Sequence, residues 1–235
     1  MLLGDDALAL FREKRIIIFG VGGVGSWCAE ALIRSGACLL TIVDNDTICP
    51  TNINRQIQAL PETLGEEKVE ALKTHLLKIN PEAGITAVCR KYHESTRSEF
   101  KLREFDYVID AIDSLSCKVD LIASALELNV TIFSAMGAAR KLNPVRIQVS
   151  GIWESSICPL ARMVRKRLRK RGIDKNFPCV WSDEPPLSDQ FSPENMEDEK
   201  TSPTNGAMVF VTGSFGFTLA SLVVQDVLDQ LPGQD

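Results

Sequence analysis

At 235 residues, with 45% apolar and 24% charged side chains, the chain has the make-up of a soluble globular protein with room for one large domain or two small ones. Its formal net charge of −5 excludes a global attraction to polyanions, so any contact with nucleic acid has to come from a local patch. The seven cysteines include no C-x-x-C pair, which argues against a disulfide framework and a structural zinc site and for reduced, cytosolic thiols.

The opening "MLLGDDALALFREKR" puts acids ahead of its apolar positions and contains no long apolar run, so it is not a secretory signal and a cytoplasmic protein is expected. Next comes "RIIIFGVGGVGSWCAEAL" (15–32): a strand over 15–19 runs into Gly20, Gly22, Gly23 and Gly25, and a helical pattern follows near 24–35. Gly20 permits a sharp strand exit, Gly22 lets backbone N–H groups approach a phosphate, and Gly25 lets helix and sheet pack closely. A second strand, 39–43, delivers Asp44, where a carboxylate accepts hydrogen bonds from ribose hydroxyls. Strand, glycine turn, helix and acid in this order point to a bound nucleotide, without separating NAD from ATP.

The next residues decide between them. "DNDTICPTNINRQ" (44–56) gathers Asp46, Asn52, Asn54, Arg55 and Gln56. A helix near 66–79 carries Val69, Leu72, Leu76 and Ile79 as a one-sided apolar stripe, with Lys68 near its start. Strands over 85–89, 107–110 and 131–134, with a helix near 117–128, complete an alternation that predicts an α/β fold, a mostly parallel sheet with helices on both faces. In such sheets a ligand sits beyond the carboxyl ends of the strands, where the strand order reverses. "DAIDS" (110–114) places Asp110 and Asp113 at one such end. Backbone amides largely satisfy the diphosphate of a hydride carrier, whereas breaking a triphosphate calls for fixed cations and Mg²⁺. Arg55 and Lys68 supply the cations, and Asp113, helped by Asp46 or Asp110, supplies oxygen to the metal. The constellation favours ATP.

Beyond residue 135 the pattern changes. "PVRIQVSGI" (144–152) reads as an alternating, half-buried strand. "RMVRKRLRKR" (162–171) reads as an amphipathic helix with Met163, Val164 and Leu168 inward. Its basic residues Arg162, Arg165, Lys166, Arg167, Arg169, Lys170 and Arg171 are dense enough to grip an RNA phosphate backbone. Cys158 and Cys179, in the same half, are either transfer nucleophiles or packing thiols, the latter being favoured. The Pro-, Ser- and acid-rich stretch 182–206 reads as a mobile crossover or lid. The final "GAMVFVTGSFGFTLASLVVQDVL" (206–228) is uncharged until Asp226 and approaches membrane length. Gly213 and Gly216 interrupt it, so a buried core element is favoured over a membrane-seeking tail. The expected organisation is one domain over 1–235, with a nucleotide-binding half (1–135) and a substrate and crossover half (136–235).

"GVGGVG", "VDNDTI", "TNINRQ", Lys68 and "DAIDS" resemble the adenylating domain of the ubiquitin-activating-like (ThiF/MoeB-type) family. "NINRQIQAL", "YVIDAIDS", "PVRIQVS", "CVWSDE" and "TGSFGF" further resemble its bacterial tRNA threonylcarbamoyladenosine dehydratase branch. The resemblance implies a Rossmann-like sheet extended by antiparallel strands. It implies ATP and Mg²⁺, with the four glycines around the nucleotide, Asp44 on the ribose, Asn52, Arg55 and Lys68 on the phosphates, and Asp113 on the metal. It also implies a homodimer in which Arg55 reaches the partner's ATP, tRNA bound through its anticodon region, and room for a sulfur-relay protein as a further partner. Family members carry an N-terminal arm with another arginine, and this sequence is expected to begin inside the first helix, without it. The activity implied is ATP-dependent cyclisation of N6-threonylcarbamoyladenosine. The runner-up is activation of the Gly-Gly tail of a sulfur-carrier protein, whose enzymes usually hold zinc on two C-x-x-C pairs.

Overall fold

The computed structural model describes residues 2–187 and 206–231. Strand β1 (Arg15–Phe19) is the centre of the fold and explains its own sequence. Successive side chains of a strand point to opposite faces, and here both faces are covered. Ile16 and Ile18 enter one apolar core, while Ile17 and Phe19 enter the other, so the strand reads as an unbroken apolar run.

Around it lie β2 (Leu39–Val43), β3 (Gly84–Val88), β4 (Tyr107–Asp110), β5 (Thr131–Ala135), β6 (Ile147–Gly151) and β7 (Pro178–Ser182). Among the described residues these form one sheet in the order β3-β2-β1-β4-β5-β7-β6. Every pairing is parallel except that of β6 with β7, so the sheet is mostly parallel with one antiparallel edge strand. Strand order reverses between β1 and β4, which opens a crevice at their carboxyl ends.

The helices are α1 (Asp5–Glu13), α2 (Gly25–Ser35), α3 (Lys68–Ile79), α4 (Leu115–Glu127), α5 (Pro159–Lys170) and α6 (Val209–Asp229). Buried residues of α2, α3 and α6 build the core on one face of the sheet, and those of α4 and α5 build the other. Helix α1 begins at Asp5 with Gly4 before it, so the chain does not start inside its first helix as expected.

Two sequence expectations shift. The stretch 144–152 is a strand only over β6, because Pro144–Arg146 forms a 3-10 turn whose Val145 N–H is held by Asn143. Strand β7 has no alternation to betray it; four consecutive buried residues follow Pro178 and slot between β5 and β6. The crossover expected over 182–206 falls mainly on 188–205, outside the described residues.

Helix α6 is long and apolar enough to cross a membrane by length and composition, with a mean hydropathy of 1.4. Its course in the fold is that of a core helix. Val211, Phe215, Leu219, Val223 and Val227 are buried at a spacing of four. Gly216 allows the contact with α2: a Cβ there would stand 2.5 Å from the Val24 carbonyl oxygen. Asp226, the first charge in the run, accepts a hydrogen bond from the Tyr107 hydroxyl at 2.7 Å and so ties the helix to β4.

Candidate active site

A cavity of about 790 Å³ opens at the carboxyl ends of β1, β2, β4 and β5, where the strand order reverses. One wall is the glycine turn. Gly20 leaves β1 with a left-handed φ of +85°, and a Cβ on Gly25 would collide with the Gly20 carbonyl oxygen, so the turn closes only without side chains at these points. Gly22, Gly23 and Val24 line the cavity, and α2 begins directly behind them. The positive end of that helix therefore faces the space where a phosphate would lie.

Asp44 braces this wall. One carboxylate oxygen accepts the Val21 N–H at 2.9 Å and the other accepts the Asp46 N–H at 2.9 Å, fixing the side chain at the mouth of the turn. Asp46 in turn accepts from the Lys68 ammonium at 2.7 Å, and its carbonyl accepts the Lys68 backbone N–H, so this cation is both buried and aimed. Asn52 lies in the short turn beyond, its Oδ1 accepting the Cys49 N–H at 3.0 Å. Gln56 is buried beside Gly22, and its Oε1 has no hydrogen-bond partner among the described residues.

Arg55 is the cation of a different kind. Its Nη1 donates to the Thr51 carbonyl at 2.7 Å and to Asn54 Oδ1 at 3.0 Å, while the Trp27 indole N–H holds its own carbonyl at 3.0 Å. Among the described residues it has no carboxylate partner, so its charge stays available at the cavity. Asp113 is its counterpart of opposite sign: an exposed, cavity-lining carboxylate with no hydrogen bond or ion pair among the described residues. No group of three or more His, Cys, Asp or Glu suited to a metal occurs among those residues. One unpartnered carboxylate on the cavity wall matches what Mg²⁺ asks of a protein, one or two carboxylates with the other positions left to phosphate oxygens and waters.

Asp110 is not the metal's helper that its position suggested. It is fully buried: one oxygen accepts from the Lys118 ammonium at 2.6 Å and the Ser134 hydroxyl at 2.5 Å, the other from the Ile112 N–H at 3.1 Å. Lys118, which also donates to the Ala135 carbonyl at 2.9 Å, was missed by sequence reasoning. Its only signal was a lysine inside an apolar helical run. Together these groups lock the ends of β4 and β5 beneath the loop that carries Asp113.

The far wall comes from residues 135–141, from Cys158, Pro159 and Leu160, and from Pro186. Cys158 and Cys179 are both buried, and burial pushes the Cys179 thiol up to about 12, away from the thiolate that a transfer nucleophile needs. Lys141, a second residue that sequence reasoning passed over, is buried here and donates to the carbonyls of Ser182 and Glu184.

The basic run forms α5 with a phase different from that expected: Ala161, Val164 and Leu168 face inward, and Met163 is exposed. Its cations divide. Arg165 donates to the Ser155 carbonyl at 2.7 Å, Arg169 stacks over Trp153 at 5.0 Å, and Arg171 lies 3.2 Å from buried Asp120. Arg162, Lys166, Arg167 and Lys170 are exposed and have no ion pair among the described residues.

Against known proteins, the model of the ThiF family matches residues 1–234. The tRNA threonylcarbamoyladenosine dehydratase of Bacillus subtilis is 36% identical, over 98% of this chain and 93% of its own length. A crystal structure of the Escherichia coli tRNA N6-threonylcarbamoyladenosine dehydratase TcdA in complex with ATP superposes with a TM-score of 0.89 at 34% identity, covering 100% of this chain and 93% of that one. The Escherichia coli molybdopterin-synthase adenylyltransferase is 31% identical over 59% of this chain.

Proposed function

Because the chain belongs to the ThiF family, we propose that it uses ATP to cyclise N6-threonylcarbamoyladenosine in tRNA through an acyl-adenylate. The observation that carries this reading is the pairing of a fixed Lys68, an uncompensated Arg55 and a free Asp113 around one glycine turn. The likeness to the Bacillus subtilis dehydratase over nearly the whole chain, against 59% for the molybdopterin-synthase adenylyltransferase, favours it over sulfur-carrier activation.

In this reading the threonyl carboxylate oxygen attacks the α-phosphorus of ATP, the α–β phosphoanhydride bond breaks, and pyrophosphate leaves. A nucleophile within the same modified base then attacks the acyl carbon. The ring closes, AMP departs with the former carboxylate oxygen, and a proton is lost, so the water removed from the substrate is accounted for in AMP and pyrophosphate. No enzyme thiol is needed, which agrees with the burial of Cys158 and Cys179.

Asp44 receives the ribose hydroxyls, while the glycine-turn amides, Asn52, Gln56, Lys68 and Arg55 take the phosphates. Mg²⁺ held by Asp113 would neutralise charge on the departing pyrophosphate. The family resemblance further implies that Arg55 reaches the nucleotide of a second copy of the chain. Val209, Phe210 and Phe217 form an exposed apolar face on α6, and Phe217 makes an edge contact with the Trp27 ring that holds the Arg55 carbonyl. Covering that face in a homodimer carries Arg55 with it. The exposed side of α5 supplies the tRNA contact, and the enzyme works in the cytoplasm.

The deciding experiment is incubation with ATP, Mg²⁺ and N6-threonylcarbamoyladenosine-containing tRNA, followed by mass spectrometry of anticodon-region nucleosides. A product lighter by one water, with AMP formed in step, is expected. AMP formation with a Gly-Gly-tailed carrier protein and none with tRNA would establish the runner-up. Binding of tRNA and ATP with turnover of neither would leave only a nucleotide-sensing RNA-binding module.

A further inference from the structure

Two buried lysines, Lys68 and Lys141, line the cavity, a third, Lys118, is buried on α4, and the three are not equivalent. Lys68 is paired with Asp46 at 2.7 Å and Lys118 with Asp110 at 2.6 Å. Lys141 is as buried as Lys118, yet it has no ion-pair partner among the described residues. Its ammonium donates to two backbone carbonyls, those of Ser182 and Glu184. The carboxylate of Glu184 makes no ion pair with it and accepts the backbone N–H groups of Leu142 and Asn143 at 2.9–3.1 Å. An ammonium has three N–H donors, and the third meets no acceptor among the described residues.

A buried ammonium without a counter-charge is expensive, and the expense persists in a fold only when other interactions hold the group in place. Burial lowers the Lys141 pKa, while the Glu184 and Asp183 carboxylates oppose that shift without forming an ion pair with it. The residue lines the cavity together with Cys158, Leu160 and Pro186, a part of the lining that comes from segments other than the glycine turn, Asp44 and Lys68. An anion entering that side would meet one unused donor and a positive charge that has no ion-pair partner among the described residues.

We propose that Lys141 marks a carboxylate subsite on the acceptor side of the cavity, which takes the threonyl carboxylate of the substrate and presents it towards the α-phosphate of ATP. This assignment rests on the dehydratase reading above. One carboxylate oxygen accepts from the Lys141 ammonium, while the other remains free to attack phosphorus. Holding the nucleophile at a fixed point of the cavity turns an encounter between two bound groups into a positioned one. It also gives the site a way to select its acceptor: a substrate lacking the carboxylate leaves Lys141 buried without a partner.

The test compares two anticodon stem-loop RNAs, one carrying N6-threonylcarbamoyladenosine and one its carboxyl methyl ester, bound in the presence of α,β-methylene-ATP. The full-length chain is expected to prefer the free acid by about thirtyfold or more. Lys141→Gln keeps N–H donors for the two carbonyls but removes the charge, and it should erase that preference while leaving ATP affinity within about twofold. Lys141→Met provides the second variant, with ATP binding as the check on its fold. A lysine that merely ties down Ser182 and Glu184 would, when replaced, weaken both RNAs equally. Retention of the acid preference in Lys141→Gln, or its absence from the unsubstituted protein, overturns the proposal. AMP release by the unsubstituted protein with modified tRNA, measured in parallel, separates the two levels. Its absence refutes the dehydratase reading and this subsite with it, whereas its presence beside an undiminished preference refutes Lys141 alone.

Discussion

The two walls of the cavity are made differently. The nucleotide wall is built near strand ends: the glycine turn, Asp44 and Asp46 follow β1 and β2, and Lys68 opens α3. Hydrogen bonds link Val21 and Asp46 to Asp44 and Lys68 to Asp46. The acceptor wall is assembled from residues 135–141, from 158–160 and from Pro186, and its cation is held by carbonyls more than forty positions away. The charges divide along another line. Lys68 and Lys118 are spent on Asp46 and Asp110, whereas Arg55, Asp113 and Lys141 have no partner of opposite charge among the described residues. Satisfied charges hold the walls in place, and unsatisfied ones are left for ligands.

The division breaks if a satisfied charge proves dispensable. Lys118→Met leaves Asp110 buried with its strongest donor gone, and an uncompensated buried carboxylate costs about 3–5 kcal/mol. Urea unfolding should show that loss. The paired change Lys118→Met with Asp110→Leu should recover much of it, since replacing both members of a buried ion pair by apolar groups is often neutral. A single substitution that leaves stability unchanged would place Lys118 among the ligand-binding charges.

The converse applies to Asp113 and Arg55. Asp113→Ala should reduce Mg²⁺-dependent pyrophosphate release by about a hundredfold or more while the unfolding midpoint stays put, because nothing in the fold leans on this carboxylate. Arg55→Ala is expected to cost about as much in turnover. Mixing the two inactive variants sharpens the point. If Arg55 acts on the partner's nucleotide, one active site in each mixed dimer is rebuilt with both groups intact, and activity returns. Failure of the mixture to recover activity would keep Arg55 in its own subunit's site.

This contrast between walls also sets what the sequence makes legible. Gly20, Gly22, Gly23, Asp44 and Lys68 could be brought to one cavity from the sequence because each sits at a strand end or a helix start. The mostly parallel sheet and the core role of the last helix followed from local pattern, whereas the strand order emerges only in the fold. Strand β7 could not be read, since its buried run depends on being inserted between β5 and β6. Asp110 misled for a related reason: its partners Lys118 and Ser134 arrive from an adjacent helix and strand. Lys141 gave no signal, being one basic residue among many until Ser182 and Glu184 fold over it. Met163 was placed inward because Val164 and Leu168 admit a neighbour on either side; the structure chose Ala161 instead, leaving Met163 exposed.

The smallest effect expected is also the one that takes the division onto the surface. Helix α5 holds two sets of cations that composition alone cannot tell apart. Arg165, Arg169 and Arg171 are engaged with Ser155, Trp153 and Asp120, whereas Lys166, Arg167 and Lys170 have no such tie. Neutralising the untied three to Gln should weaken tRNA binding and reduce the salt slope by about 0.7–0.9 for each phosphate that is no longer neutralised. Neutralising Arg169 and Arg171 should move the slope less and the unfolding midpoint more, since it removes a stacking interaction and an ion pair with a buried carboxylate. Equal slopes for the triple and the double variant would mean that tRNA recruits the engaged arginines away from their partners. An unchanged slope in both would make α5 a solvated face and move the RNA-binding surface elsewhere on the molecule.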